Sequence, residues 1–116
     1  MSGNLFHGRD FENEAYRGAD GNQHTELIPV DGDFFSITNN TWDSIVSQCE
    51  KYGIAPDNWP VYKNAIDIPL DDVRQKNILL RNGVLALPNE IAQSSEWLQR
   101  IVVCISQGEI IAYCQM

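Results

Sequence analysis

The predicted fold is decided by the stretch IVVCISQGEIIAYC, residues 101–114. Two runs rich in β-branched residues flank Gln107-Gly108, and such residues are enriched in strands. The stretch therefore predicts a β-hairpin at residues 100–115. Alternation along both runs places apolar side chains on both faces, so each face needs cover. We expect helices on one face, and the N-terminal segment or a second subunit on the other.

Three helices are predicted upstream of this hairpin. Residues 41–52 form the clearest one, because their apolar side chains recur on one helical face. Residues 67–82 and 88–99 each have a proline near the start, where proline is well tolerated. A rival interpretation stays open for the second helix, since Asn82-Gly83 between two apolar runs is also a hairpin signal.

The N-terminal third divides into two predicted parts. Residues 27–37 indicate a hairpin turning at Asp31-Gly32, with Pro29 placing its first strand at a sheet edge. Residues 1–26 carry few large apolar side chains and four glycines, so they predict a polar, acidic and loosely attached arm. Residues 27–116 are then a single α+β domain, with about three helices packed on a small antiparallel sheet of four or five strands.

Charge narrows the classes of partner. The 116 residues include 16 acids and 8 lysines or arginines, which gives a net charge of -8. Residues 1–33 hold seven of the acids and two of the arginines. Eight scattered cations make no footprint for direct nucleic-acid binding. No apolar run approaches the roughly 20 residues of a membrane helix, and no signal peptide is visible. With three cysteines that lack disulfide or zinc spacing, we expect a cytoplasmic protein.

Groups for catalysis are scarce. His7 and His24 are the only histidines and both lie in the predicted arm, so no pairing with a cysteine follows from the sequence. A calcium loop starting at Asp20 fails, because Thr25 stands where the loop requires glycine. We therefore predict no catalytic residue, no cofactor and no metal ligand, and an enzyme is not favoured.

Four residues are candidate partner contacts. Trp59 and Tyr62 lie in or beside a proline-flanked loop, and exposed aromatic side chains are common binding anchors. The alternative for Trp59 is that it folds over the core. Asp31 and Asp33 flank a turn glycine and offer an acidic surface that would steer a basic partner.

Two functional hypotheses follow, with a third that concerns assembly. The first is a small acidic protein-binding module that acts on a basic protein, in the manner of an inhibitor, an immunity protein or a mobile-element accessory protein. The alternative is a small-ligand binding protein or enzyme, with a pocket between sheet and helices or at a dimer interface. The third is a homo-oligomer in which the hairpin or the arm completes the neighbour's core.

Overall fold

The computed structural model describes residues 1–115 and has the α+β class that the sequence predicts. In chain order its elements are β1 (Ser2–Gly8), β2 (Asp10–Arg17), β3 (Gln23–Val30), β4 (Asp33–Thr38), α1 (Asn39–Glu50), a 3₁₀ turn (Pro56–Asn58), β5 (Val61–Tyr62), α2 (Leu70–Leu85), α3 (Asn89–Ala92), α4 (Glu96–Ser106) and β6 (Ile110–Gln115). A four-stranded sheet has the order β4-β1-β6-β5, and β2 with β3 forms a separate two-stranded sheet. In the four-stranded sheet, β1 pairs antiparallel with β4 and with β6, whereas β5 pairs parallel with β6.

The segment at residues 1–26 differs from the loosely attached arm that its composition predicts. β1 lies inside the main sheet, between β4 and β6, and Leu5 is fully buried. Leu5 and Phe6 point to opposite faces, and each packs into a different apolar cluster. A strand that is hydrogen-bonded on both edges can be part of the core with a single apolar side chain on each face. The low number of apolar residues therefore did not indicate that this segment is ordered.

The predicted hairpin at residues 27–37 is wrong. β3 pairs with β2, whereas β4 pairs with β1. Because His7 lies opposite Asp33, and Asp10 opposite Val30, the register continues from one sheet into the other. β1 and β2 therefore form one side of a long, interrupted hairpin, and β3 and β4 form the other.

The interruption lies where Arg9 faces Asp31. Arg9 Nε donates to Asp31 Oδ2 at 2.8 Å, and Asp31 has a φ of 50°. A Cβ on Gly32 would overlap the carbonyl oxygen of His7, so the two sides approach too closely here for any side chain. The turn-forming dipeptide Asp31-Gly32 thus bends a strand instead of reversing it.

The first half of the predicted C-terminal hairpin is also wrong, because residues 101–105 belong to α4. Ser95 Oγ accepts from Leu98 N–H and caps the start of this helix. Its buried side chains recur at helical spacing: Leu98, Ile101, Cys104 and Ile105. Local capping and tertiary packing thus outweigh the strand preference of β-branched residues. The rival hairpin at Asn82-Gly83 is wrong as well, since both residues lie within α2.

β6 is covered on both faces, as the sequence predicts. Ile111 and Tyr113 pack into the cluster beneath the helices. Ala112 and Cys114 pack into the second cluster, together with Phe11 of β2 and Leu27 of β3. The N-terminal segment therefore supplies the second cover within the same chain.

Asn77 fixes α2 to β6. Its Nδ2 donates to the carbonyl of Val73 at 2.7 Å and to that of Ile111 at 2.9 Å, and its Oδ1 accepts from Ile111 N–H at 2.9 Å. The amide thus pairs with the backbone of Ile111 as a neighbouring strand would. This explains a polar residue on the buried face of α2.

We expect Asn77→Ala to lower the free energy of unfolding by about 2–4 kcal/mol, because it leaves the buried N–H and C=O of Ile111 without this partner. Equilibrium unfolding in urea measures the loss. Asn82→Ala, at an exposed position of the same helix, should change stability by less than about 0.5 kcal/mol. Equal losses in the two variants would contradict this role for Asn77.

Candidate functional site

The outward face of the β2–β3 ribbon carries three exposed glutamates. Directly paired residues of antiparallel strands share a face, and Glu14 pairs with Glu26 while Glu12 pairs with Ile28. Phe11 and Leu27 alternate with these residues and are buried, so the three glutamates point away from the core. We call Glu12, Glu14 and Glu26 the acidic ribbon face.

The acidic ribbon face has no ion pair within the described chain, 1–115. Other acids of the long hairpin have partners. Arg74 holds Asp10 with two hydrogen bonds of 3.1 Å and lowers the pKa of its carboxyl. Like charges directly opposite each other destabilise a strand pair. The Glu14–Glu26 pair therefore costs stability in the isolated protein.

The ribbon is attached to the body along β3. Leu27 N–H donates to the carbonyl of Ala65, and Asp67 N–H donates to that of Thr25, each at 2.8 Å. This contact places residues 65–67 beside the outer edge of β3, whereas β2 pairs with β3 alone in the two-stranded sheet. The acidic ribbon face is thus held on a fixed support.

His24 links the tip of the ribbon to the body. Its Nδ1 lies 2.7 Å from Asp67 Oδ2, and its Nε2 lies 3.0 Å from Asp20 Oδ2. The hydrogen bonds to Asp67 and then Asp20 raise the pKa of His24 above its usual 6.5. The pKa values of both carboxyls are lowered. The largest cause is a hydrogen bond from a backbone N–H, that of Thr25 to Asp67 and that of Asn22 to Asp20, and the second cause is the hydrogen bond to His24.

The four sequence-predicted contact residues are not brought together as one site. Trp59 is 1% exposed and stacks edge-on against Trp42, so the prediction of an exposed anchor is wrong there, and the core alternative holds. Tyr62 is half-buried, and its hydroxyl donates to Asp72 Oδ2 at 2.6 Å. The pKa of this hydroxyl is raised, mainly by burial.

Asp31 and Asp33 both lie at the surface, near the bend of the long hairpin. The Asp31 carboxylate is paired with Arg9, and Asp33 Oδ1 accepts from Phe34 N–H at 2.8 Å. A partner contact at these two residues stays a prediction.

A second candidate site lies in a cleft of about 530 Å³ between the main sheet and α4, which we call the α4 cleft. His7 of β1, Cys104 of α4 and Glu109 offer ligand atoms that all lie within 4.8 Å of one another. His7 Nδ1 lies 3.1 Å from Glu109 Oε1. Burial, together with a hydrogen bond to Glu109, raises the pKa of the Cys104 thiol to about 12. The thiol is therefore protonated at neutral pH and is not an activated nucleophile.

The turn after α4 sets the position of Glu109. Gly108 adopts a φ of 84°, its N–H donates to the carbonyl of Ile105, and Glu109 N–H donates to that of Cys104 at 3.0 Å. This is the paired hydrogen-bond pattern of a helix that ends at a left-handed glycine. The backbone of Glu109 is thus tied directly to that of Cys104.

Aromatic and cationic side chains form another wall of the α4 cleft. Phe35 of β4 stacks on Trp97 with ring centroids 5.7 Å apart, and it also packs 5.8 Å from the His7 ring. The Arg100 guanidinium lies 5.2 Å from the Trp97 centroid and pairs with Glu96. Since Phe35, His7 and Arg100 come from three distant parts of the sequence, no spacing signal could have indicated this cleft.

No significant match was found when the chain was compared with protein-family models, with curated proteins and with solved structures. Within residues 1–115, no helix is long and apolar enough to cross a membrane.

We expect the attachment of the ribbon tip to depend on pH through His24. Because folding raises its pKa, the stabilisation is fully present below pH 6.5 and is lost as pH rises through the folded value. Asp20 and Asp67 also stabilise the fold, because folding lowers their pKa values, and this stabilisation is lost as pH falls below 3.8 and the two carboxylates become protonated. NMR titration of His24 should give a pKa above 6.5, and protection of the Thr25 amide, which donates to Asp67 Oδ1, should decline above that value.

In His24→Gln, the protection of the Thr25 amide should lose this dependence above pH 5. A wild-type His24 that titrates at or below 6.5 would contradict the proposed attachment.

Proposed function

We propose that this protein is a small acidic protein-binding module whose acidic ribbon face contacts a basic protein. One observation carries the proposal: Glu14 and Glu26 are paired directly across two strands, with Glu12 on the same face and no cation bound to any of them within residues 1–115. A lysine or arginine from a partner would remove this repulsion. The electrostatic repulsion that destabilises the isolated protein would thus favour binding of the partner.

The net charge of the ribbon and its attachment to the rest of the protein both favour binding to a basic protein. Residues 10–30 hold five acids and one arginine, a formal charge of -4 and half of the total. A concentrated field of one sign accelerates association with an oppositely charged partner. Attachment of β3 to residues 65–67 holds the backbone of the ribbon in place before binding, which reduces the backbone entropy lost on association. An inhibitor, an immunity protein or a mobile-element accessory protein would each use such a surface, and the free cysteines fit a cytoplasmic setting.

A second candidate function is small-ligand binding in the α4 cleft, which lies between sheet and helices as the alternative hypothesis expects. The observation that favours it is the convergence of polar groups on an apolar wall, with His7 and Glu109 near the Phe35 ring. Homo-oligomerisation also remains a proposal. Its candidate surface is the outer side of α2, where Ile78 is 71% and Leu79 62% exposed.

The double variant Glu14→Gln/Glu26→Gln separates binding from stability. We expect it to be as stable as the wild type or up to about 1 kcal/mol more stable, because the like-charge pair is gone. Association with a basic partner should nevertheless be slowed, by about threefold to tenfold at low salt, and less at high salt. Affinity capture from the source cell at low salt identifies the partner, and surface plasmon resonance with the purified partner gives the rates.

Two matched pairs serve as controls, each also removing two negative charges. Asp57→Asn/Glu90→Gln alters exposed acids on helical elements outside the ribbon and should change the association rate much less. Asp31→Asn/Asp33→Asn tests the turn that the sequence indicated. If this pair slows association most, the contact lies at the bend. If all three variants bind alike, the acidic ribbon face is not the binding surface.

A further inference from the structure

The α4 cleft contains the one grouping of nitrogen, sulfur and carboxylate ligands found among the described residues. We propose that His7, Cys104 and Glu109 bind Zn²⁺ through three protein ligands and leave a fourth position open to the cleft. This site is separate from the acidic ribbon face, and it does not depend on the proposed partner binding.

The ligand set favours zinc over the hard cations. Zn²⁺ accepts imidazole nitrogen, thiolate sulfur and carboxylate oxygen in one tetrahedral site, whereas Ca²⁺ and Mg²⁺ prefer oxygen alone. Zinc lies about 2.0–2.3 Å from such ligands, so neighbouring ligand atoms in a tetrahedral site are about 3.3–3.8 Å apart. The His7 Nδ1 to Glu109 Oε1 separation is 3.1 Å, and no pair of ligand atoms exceeds 4.8 Å. Small side-chain rotations are enough to close the site.

Two of the three ligands lie on regular elements, and the third follows a helix-ending turn. His7 belongs to the central strand β1, which is paired on both sides, and Cys104 lies on the buried face of α4. The glycine-ended turn ties Glu109 to Cys104 through the backbone. Because these positions are fixed by the fold, the loss of chain entropy on metal binding is small.

The charges balance in a partly buried place. Cys104 is 7% exposed, and the side chains of His7 and Glu109 are 19% and 21% exposed. On binding, the thiol releases its proton to solvent, the sulfur and the carboxylate each contribute one negative charge, and the imidazole remains neutral. The two anionic ligands cancel the charge of Zn²⁺, so a net charge is not left in a poorly solvated site.

The cleft gives the fourth position access to a small molecule. Metal sites with three protein ligands keep a water or a substrate in the fourth position. The residues that would hold the zinc also line the cleft of about 530 Å³, which has room for solvent and a small ligand. The site is therefore of the open type, as opposed to a closed structural zinc site.

Cobalt substitution tests this assignment in the 116-residue chain after all metal has been removed with a chelator. We expect one Co²⁺ per chain, with the intense visible bands of tetrahedral cobalt and a thiolate-to-cobalt charge-transfer band in the near ultraviolet. Zn²⁺ should displace the Co²⁺ and raise the melting temperature of the wild type. Cys104→Ser should abolish the charge-transfer band, whereas Cys49→Ser and Cys114→Ser should retain it.

The other two ligands are tested by zinc affinity, measured in competition with a chromophoric chelator. Loss of outer-shell partners already weakens metal sites about 10–100-fold, so His7→Gln and Glu109→Gln should each weaken binding at least tenfold. These two variants also decide the question if Cys104→Ser fails to fold. His24→Gln is the matched histidine control and should leave the affinity unchanged.

Three results would overturn the proposal. They are the absence of a charge-transfer band in the wild type, a band that persists in Cys104→Ser, and zinc affinity that is unaffected by His7→Gln and Glu109→Gln. Affinity that falls in His24→Gln and not in His7→Gln would place the metal at the ribbon tip, beside Asp20 and Asp67, and would equally overturn it.

Discussion

The fold depends on a strand that must be buried on both faces. β6 carries Ile111 and Tyr113 on one face and Ala112 and Cys114 on the other, and all four are almost completely shielded from water. Burial of this much apolar surface requires two separate layers, one on each side. Most of the helical residues form one layer. The start of the ribbon, residues 65–69 and the first turn of α2 form the other layer, and the acidic ribbon face lies on its far side.

The same requirement explains the departures from regular patterning. Asn77 stands on the buried side of α2 because the backbone of β6 needs a hydrogen-bonding partner where β5 does not reach it. The Tyr113 hydroxyl donates to the carbonyl of Ile37 at 2.8 Å while its ring stacks on Trp42. Polar groups in this core thus have identifiable partners, with Trp59 Nε1 as an exception among the described side chains.

The sequence could predict what local signals determine. The α+β class and the two-faced strand at the C-terminus follow from apolar periodicity. So do the two helices predicted at residues 41–52 and 67–82, which the structure places at Asn39–Glu50 and Leu70–Leu85. What failed depends on distant pairing. Asp31-Gly32 favours a tight turn locally, yet β4 pairs with β1 and β3 pairs with β2, so the chain bends at this dipeptide without reversing. Both candidate sites were missed for the same reason: Glu14 meets Glu26 through strand register, and His7 meets Cys104 across 97 positions of sequence.

The pairing of β1 with β6 has a consequence for how the chain folds. Residues 3–8 pair with residues 110–115 at the centre of the main sheet. This pairing closes a loop of about 100 residues, and the entropy lost in closing the loop opposes its formation. During synthesis, β1 emerges long before β6, and one of its edges stays unpaired until β6 has left the ribosome. The ribbon and helices can form early, but the core between them closes only at the end. A partner or chaperone that binds the growing chain would therefore meet an open sheet with an apolar surface, quite unlike the finished protein.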